Sequence, residues 1–209
     1  MSFEIDVERR LGARTIALAF TAPAGLTALF GPSGAGKTTV LNLVAGLLRP
    51  DRGRIAVGGR VLVDTGTGID LPPELRKSGY VFQDARLFPH YRVAANLNYG
   101  WELTVPDDRW MGVEEAVEFL GIGGLLDRWP ATLSGGEAQR VAIGRALLAG
   151  ARFLLMDEPL ASLDAANREE CLRVIERVRD ELKLPILYVT HDRREVDRLA
   201  TTVVEMDGC

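Results

Sequence analysis

The sequence predicts an α/β fold: a mostly parallel sheet with helices on both faces, an N-terminal antiparallel β flap and an inserted helical lobe. Three observations predict it. Short apolar runs alternate with amphipathic stretches, the pattern of a parallel sheet covered by helices. Near the N-terminus, short alternating segments are separated by glycine turns, the pattern of hairpins. Between Gln83 and about Gly150 the strand signal disappears and helical patterns take over.

Residues 3–20 alternate about Leu11-Gly12-Ala13 and predict a hairpin; residues 54–57 and 61–63, separated by Gly58-Gly59-Arg60, predict a second. Leu26–Phe30 is an apolar strand that runs into a glycine-rich turn and then a helix from Val40. Buried strands are predicted at 79–82, 153–156, 186–189 and Thr202–Glu205. Residues 165–183 put Leu172, Ile175, Val178 and Leu182 on one helical face, with Glu169/Arg173 and Arg177/Glu181 as outward i,i+4 pairs. Within the lobe, 114–120, 123–127 and 137–148 read as helices, broken at Pro106 and Pro130. The chain thus divides into a core with its flap (1–84 and 150–209) and a lobe (85–149).

Composition narrows the function classes. Of 209 residues, 25 are basic and 29 acidic, a net charge of −4 that argues against a general grip on nucleic acid. Two cysteines, Cys171 and Cys209, cannot form a disulfide framework, so a reducing compartment is expected and Cys171 reads as a packing residue. No apolar run approaches the roughly 18 residues that span a bilayer, and the N-terminus does not read as a signal peptide. Work at a membrane would require docking to something else.

The turn after Leu26–Phe30 is Gly31, Pro32, Ser33, Gly34, Ala35, Gly36, Lys37, Thr38 and Thr39. Strand, glycine turn and helix in that order make a phosphate-binding loop: inward N–H groups and the helix dipole favour an anion. Lys37 is expected to reach the β/γ-phosphates of a nucleoside triphosphate, and the Thr38 hydroxyl to hold Mg²⁺. The plain alternative is a glycine loop before a buried helix.

Gln83, Asp157-Glu158 and His191-Asp192 each follow an apolar strand. Open parallel sheets bind ligands outside the carboxyl ends of their strands, so these groups belong on the rim that holds the loop. Each has a plain reading alone: a solvated loop, a strand end, a turn cap. Together, Asp157 suits Mg²⁺, Glu158 the attacking water, His191 the γ-phosphate and that water, and Gln83 the metal or water shell. A further stretch, Leu133-Ser134-Gly135-Gly136-Glu137, has the form of a capping box. Two glycines in a first helical turn cost about 1 kcal/mol each against alanine, which favours a second anion site, served to another copy of the chain.

In this order the motifs resemble the ATPase domains of ABC transporters, over essentially the whole chain. The resemblance implies a P-loop NTPase core, ATP and Mg²⁺ as cofactors, and a head-to-tail dimer with two ATP molecules sandwiched between phosphate loops and the partner's Ser134, Gly135 and Gly136. Ser162-Leu163-Asp164 resembles the loop that crosses the dimer interface, and His191 the switch histidine. Residues 79–90, Gly-Tyr-Val-Phe-Gln-Asp-Ala-Arg-Leu-Phe-Pro-His, are similar to those of molybdate importers, with tungstate, another inorganic anion or a small solute as alternative cargo. The same resemblance implies a membrane permease contacted near Asp84 to His90, and an extracytoplasmic oxyanion-binding protein reached indirectly. It also implies a peripheral position on the cytoplasmic side of the membrane. Departures are Glu137 where many members have Gln, and Glu8-Arg9-Arg10-Leu11 where many stack adenine on an aromatic. An arginine plane is the alternative there. Such importers usually carry a further C-terminal domain, so a truncated or shorter form is expected. A soluble, non-transport ABC ATPase and a phosphate-loop kinase or regulator are the competing classes. Acidic charge disfavours the first, and Ser134-Gly135-Gly136 with Glu158 the second.

Overall fold

A computed structural model describes residues 2–207; Cys209 lies outside the described residues. Two five-stranded sheets are formed. The antiparallel sheet contains β1 (Phe3–Leu11), β2 (Arg14–Ala22), β4 (Arg52–Val57), β5 (Arg60–Asp64) and β6 (Ile69–Asp70), in the order β2-β1-β4-β5-β6. The parallel sheet contains β3 (Leu26–Phe30), β7 (Ser78–Val81), β8 (Phe153–Asp157), β9 (Ile186–Thr190) and β10 (Thr202–Glu205), in the order β10-β3-β9-β8-β7.

Period-two side chains explain why the parallel sheet is apolar on both faces. In β8, Phe153 and Leu155 join one cluster, with Phe3, Ile5 and Val7 of β1 and Val40, Leu41 and Val44 of helix α1 (Lys37–Ala45). Leu154 and Met156 join the other, with the helices α2 (Val93–Leu103), α4 (Gly135–Leu148) and α5 (Ala165–Asp180). Each fully buried Leu or Ile contributes about 1.5–3 kcal/mol. Helix α1, directly behind the phosphate loop, is therefore held between the faces of both sheets. Its C-terminal carbonyls at Leu43 and Val44 accept from the buried Arg76 guanidinium (2.8 and 3.1 Å).

Some sequence expectations are corrected. The first hairpin turns at Gly12-Ala13, with Leu11 still paired in β1, and the second at Gly58-Gly59, with Arg60 in β5. The helix expected over 123–127 is a single 3₁₀ turn, Gly123–Leu125. The helix expected over 165–183 ends at Asp180, and a left-handed Lys183 (φ 56°) turns the chain towards β9. Helix α2 was not expected. Its fully buried Asn96 breaks the apolar period, yet its amide is satisfied by donating to the carbonyls of Phe88 (3.1 Å) and Tyr91 (3.0 Å) and accepting from Phe88 N–H (2.8 Å). The helices α3 (Val113–Leu120) and α6 (Arg193–Leu199) complete the set. Among the described residues no helix is long and apolar enough to cross a membrane.

Candidate functional site

The loop between β3 and α1 holds left-handed backbone at Gly34 (φ 83°) and Gly36 (φ 92°). A Cβ at Gly36 would stand 2.5 Å from the Ile16 side chain, so the antiparallel flap packs directly against the loop. Arg14, on the same strand β2, donates to the Gly34 carbonyl (3.2 Å). Lys37 is buried, and its ammonium donates to the carbonyls of Gly31 and Pro32, both at 2.8 Å. A third N–H remains for another acceptor. Burial pulls the Lys37 pKa down, and the charges of Glu158 and Asp157 oppose that pull. Pro32, Ser33, Gly34 and Thr38 are exposed, Ala35 is buried, and Gly31, Gly36 and Thr39 lie between.

Parallel pairing brings the ends of β3, β9, β8 and β7 side by side. The Thr38 hydroxyl donates to Asp157 Oδ1 (3.0 Å) although 119 residues separate them. Burial raises the Asp157 pKa, while the Thr38 hydrogen bond stabilises its charged form. Glu158 has a left-handed backbone (φ 45°), with its N–H donated to the Val189 carbonyl (3.0 Å). Its carboxylate Oε2 lies 3.0 Å from His191 Nδ1. Gln83 is exposed and lines one hollow of about 310 Å³ together with Asp157 and Ser162.

A hydroxyl and a carboxylate in contact are hard oxygen donors. They fit a cation such as Mg²⁺, which takes one or two protein oxygens and fills its shell with phosphate oxygens and water. Among the described residues, no group of three or more His, Cys, Asp or Glu side chains could hold a metal alone. The donor set is therefore one that a bound phosphate would complete.

Ser134 caps α4, accepting from Glu137 N–H (3.2 Å) while Glu137 Oε2 accepts from Ser134 N–H (2.7 Å). The glycines after it have a local reason. A Cβ at Gly135 would meet Leu163 at 2.7 Å, and one at Gly136 would meet Asn167 at 2.7–3.1 Å. The start of α4 thus packs against the start of α5. Asp164 caps α5, accepting from the N–H groups of Ala166 and Asn167 (3.0 Å each), and these bonds lower its pKa. Arg9, in the segment without an aromatic, is paired with Asp51 (2.6 Å).

Three residues near the rim were not singled out from the sequence. Gln139 on α4 is buried and donates to the carbonyls of Phe82 (3.0 Å) and Gln83 (2.8 Å), tying α4 to the strand end. Arg168 on α5 donates to Asp192 Oδ2 (2.8 Å), and Glu195 on α6 accepts from Thr190 (2.8 Å). A glutamine on the apolar face of α4 was the available signal for Gln139. Arg168 and Glu195 sit among other charged residues, where nothing local marks them.

Residues 17–161 match the family described as ABC transporter. The chain is 58% identical over 204 residues to "Molybdenum import ATP-binding protein ModC" of Mesorhizobium japonicum, covering 98% of this chain and 55% of that protein. A protein of the same description from Rhodospirillum rubrum is 58% identical over 201 residues, 96% of this chain and 54% of that protein. The chain thus spans about half the length of the curated relatives it matches. Among solved structures, cbiO1 from Clostridium perfringens, described as part of the ABC transporter complex cbiONQ, superposes with a TM-score of 0.82 at 28% identity. That match covers 98% of this chain and 84% of cbiO1. The dimeric bacterial ABC transporter cassette MJ0796 shares the fold, with a TM-score of 0.78 at 24% identity over 100% of this chain and 95% of that one. Matched by the family over more than two thirds of its length, and highly identical to two relatives along nearly all of it, this chain belongs to the ABC transporter family.

Proposed function

We propose that the chain is the ATP-hydrolysing subunit of an importer that couples ATP binding and hydrolysis to uptake of an oxyanion, molybdate first, through a membrane permease. One observation carries the catalytic part: Thr38 with Asp157, and Glu158 with His191, converge beside Lys37 on a single rim. The cargo rests on the description of the relatives at 58% identity.

In this reading the N–H groups of residues 31–39 and the Lys37 ammonium bind the β- and γ-phosphates. Thr38 and Asp157 would hold Mg²⁺, with Gln83 completing its surroundings. The metal would supply charge neutralisation on the phosphate oxygens. Glu158 orients the attacking water and accepts its proton. His191 stays within hydrogen-bond reach of Glu158 and contacts the γ-phosphate. Acid–base help of this kind contributes about 10²–10⁴-fold. Ser134, Gly135, Gly136 and Asp164 act on a nucleotide held by a second copy, in a head-to-tail dimer. The core comprises 1–84 and 150–209, and the lobe 85–149.

The lobe also offers a partner surface. Tyr99 and Leu103 are exposed (43% and 72%) and, with Phe88, line a groove of about 420 Å³ next to the 84–90 segment. A permease segment seated there would put the protein on the cytoplasmic face of the membrane, with an oxyanion-binding protein on the far side. Affinity purification of the protein from native membranes tests this reading. Recovery of a permease and an oxyanion-binding partner is expected; ribosomes or nucleic acid as the co-purifying material would overturn it.

A further inference from the structure

His191 is half-exposed, and its Nδ1 lies 3.0 Å from Glu158 Oε2. Both residues that flank it are anchored, and the anchors meet at one buried carboxylate. Thr190 donates its hydroxyl to Glu195 Oε2 (2.8 Å) and accepts the Asp192 N–H (3.0 Å). Tyr188, two residues earlier and so on the same side of β9, donates to the same oxygen (2.8 Å). Glu195 is only 4% exposed, a position at which an unpartnered carboxylate is costly. Its other oxygen faces Arg168 (3.6 Å), which donates to Asp192 Oδ2 (2.8 Å) and to the Leu160 carbonyl (3.3 Å). Leu160 follows Glu158 by two residues, so the network reaches both ends of the Glu158–His191 contact.

We infer that Glu195 is a positioning residue: through Thr190, and through Arg168 to Asp192, it fixes the turn that holds His191 within 3.0 Å of Glu158. The inference rests on the catalytic roles proposed above for Glu158 and His191. A purely structural carboxylate would serve the fold equally whether or not His191 is present. A positioning carboxylate has nothing left to position once His191 is gone.

Single-turnover hydrolysis of Mg-ATP by this chain separates the two. Glu195→Gln and Thr190→Val are each measured alone and combined with His191→Ala. Displacing a catalytic group by about 1 Å costs on the order of 10²-fold, so each single variant is expected to lose about 10- to 100-fold in rate with little change in ATP affinity. Added to His191→Ala, either is expected to cost no more than about 2-fold, since residues acting as a unit are not additive. Equal losses in both backgrounds would overturn the inference while leaving the catalytic reading intact. Full activity of His191→Ala would overturn both. If Glu195→Gln does not fold, Thr190→Val, of nearly the same shape, carries the test alone. Because the chain has two histidines, a His90→Asn background leaves one imidazole NMR signal. That signal is expected to shift on Thr190→Val, and an unchanged signal would count against the inference.

Discussion

Glu158 has a left-handed backbone without being a glycine (φ 45°), a conformation that costs on the order of 1–3 kcal/mol. The surroundings hold it there: its N–H donates to the Val189 carbonyl, and its carboxylate lies 3.0 Å from His191 Nδ1. The strain aims the side chain across the rim, a geometry that no residue pattern announces. Asp192 illustrates the electrostatics beside it. The Arg194 guanidinium, with further hydrogen bonds from the Arg194 N–H and Arg168, holds its carboxyl well below the usual carboxylate range. A depressed folded-state pKa gives stability that is complete above the unfolded value, about 3.9, and is lost as pH falls towards the folded one. Asp192→Asn is therefore expected to lower the urea midpoint by a constant amount between pH 7 and pH 5, with the gap narrowing below about pH 4. A gap that stays constant down to pH 3 would contradict this. The rim residues themselves were legible, because a polar group directly after an apolar run marks a strand end. Their supports were not, because Arg168 and Glu195 come from other elements and are brought in only by folding.

Among the elements, α1 shows how the core supports the loop. Arg76, 2% exposed, donates to the carbonyls of Leu71, Leu43 and Val44 and pairs with Asp70, closing the C-terminal end of the helix whose N-terminus carries Lys37. Removing it leaves buried carbonyls without a donor. Arg76→Ala is expected to destabilise the protein by about 2–4 kcal/mol in urea unfolding, and a loss below about 0.5 kcal/mol would show that water replaces the guanidinium. Helix α4 has a different task. Its capped start faces α5, while Gln139 donates to the carbonyls of Phe82 and Gln83 and Arg145 to those of Ala85 and Arg86. Ala85 and Arg86 are both left-handed (φ 57° and 44°), so α4 stabilises a strained loop at the proposed permease contact. Long apolar runs made the parallel strands easy to read. Helix α2 escaped because a satisfied buried asparagine looks polar in sequence, and β6 because two residues carry no period.

For the molecule as a whole, α1 between two sheets joins the phosphate loop to the core, and α2–α4 form a second packed unit beside β7 and β8. The sequence order of the strands does not give their spatial order. That β3 lies next to β9 rather than β7 follows from pairing at long sequence separation and sets the phosphate loop beside the end of β9, while the β8–β9 pairing sets Glu158 and His191 together. The capped start of α4 packs through its glycines on the loop before α5 and on the first turn of α5. The central claim is that this start completes the site of a second copy. Mixing two inactive variants, Glu158→Gln and Ser134→Arg, tests it most directly. Each alone is expected to bind ATP and hardly hydrolyse it. In a head-to-tail pair of unlike variants, one of the two sites carries both defects and the other carries neither. Hydrolysis should therefore reappear on mixing; turnover that stays at the level of the separate variants would contradict a site shared between two chains.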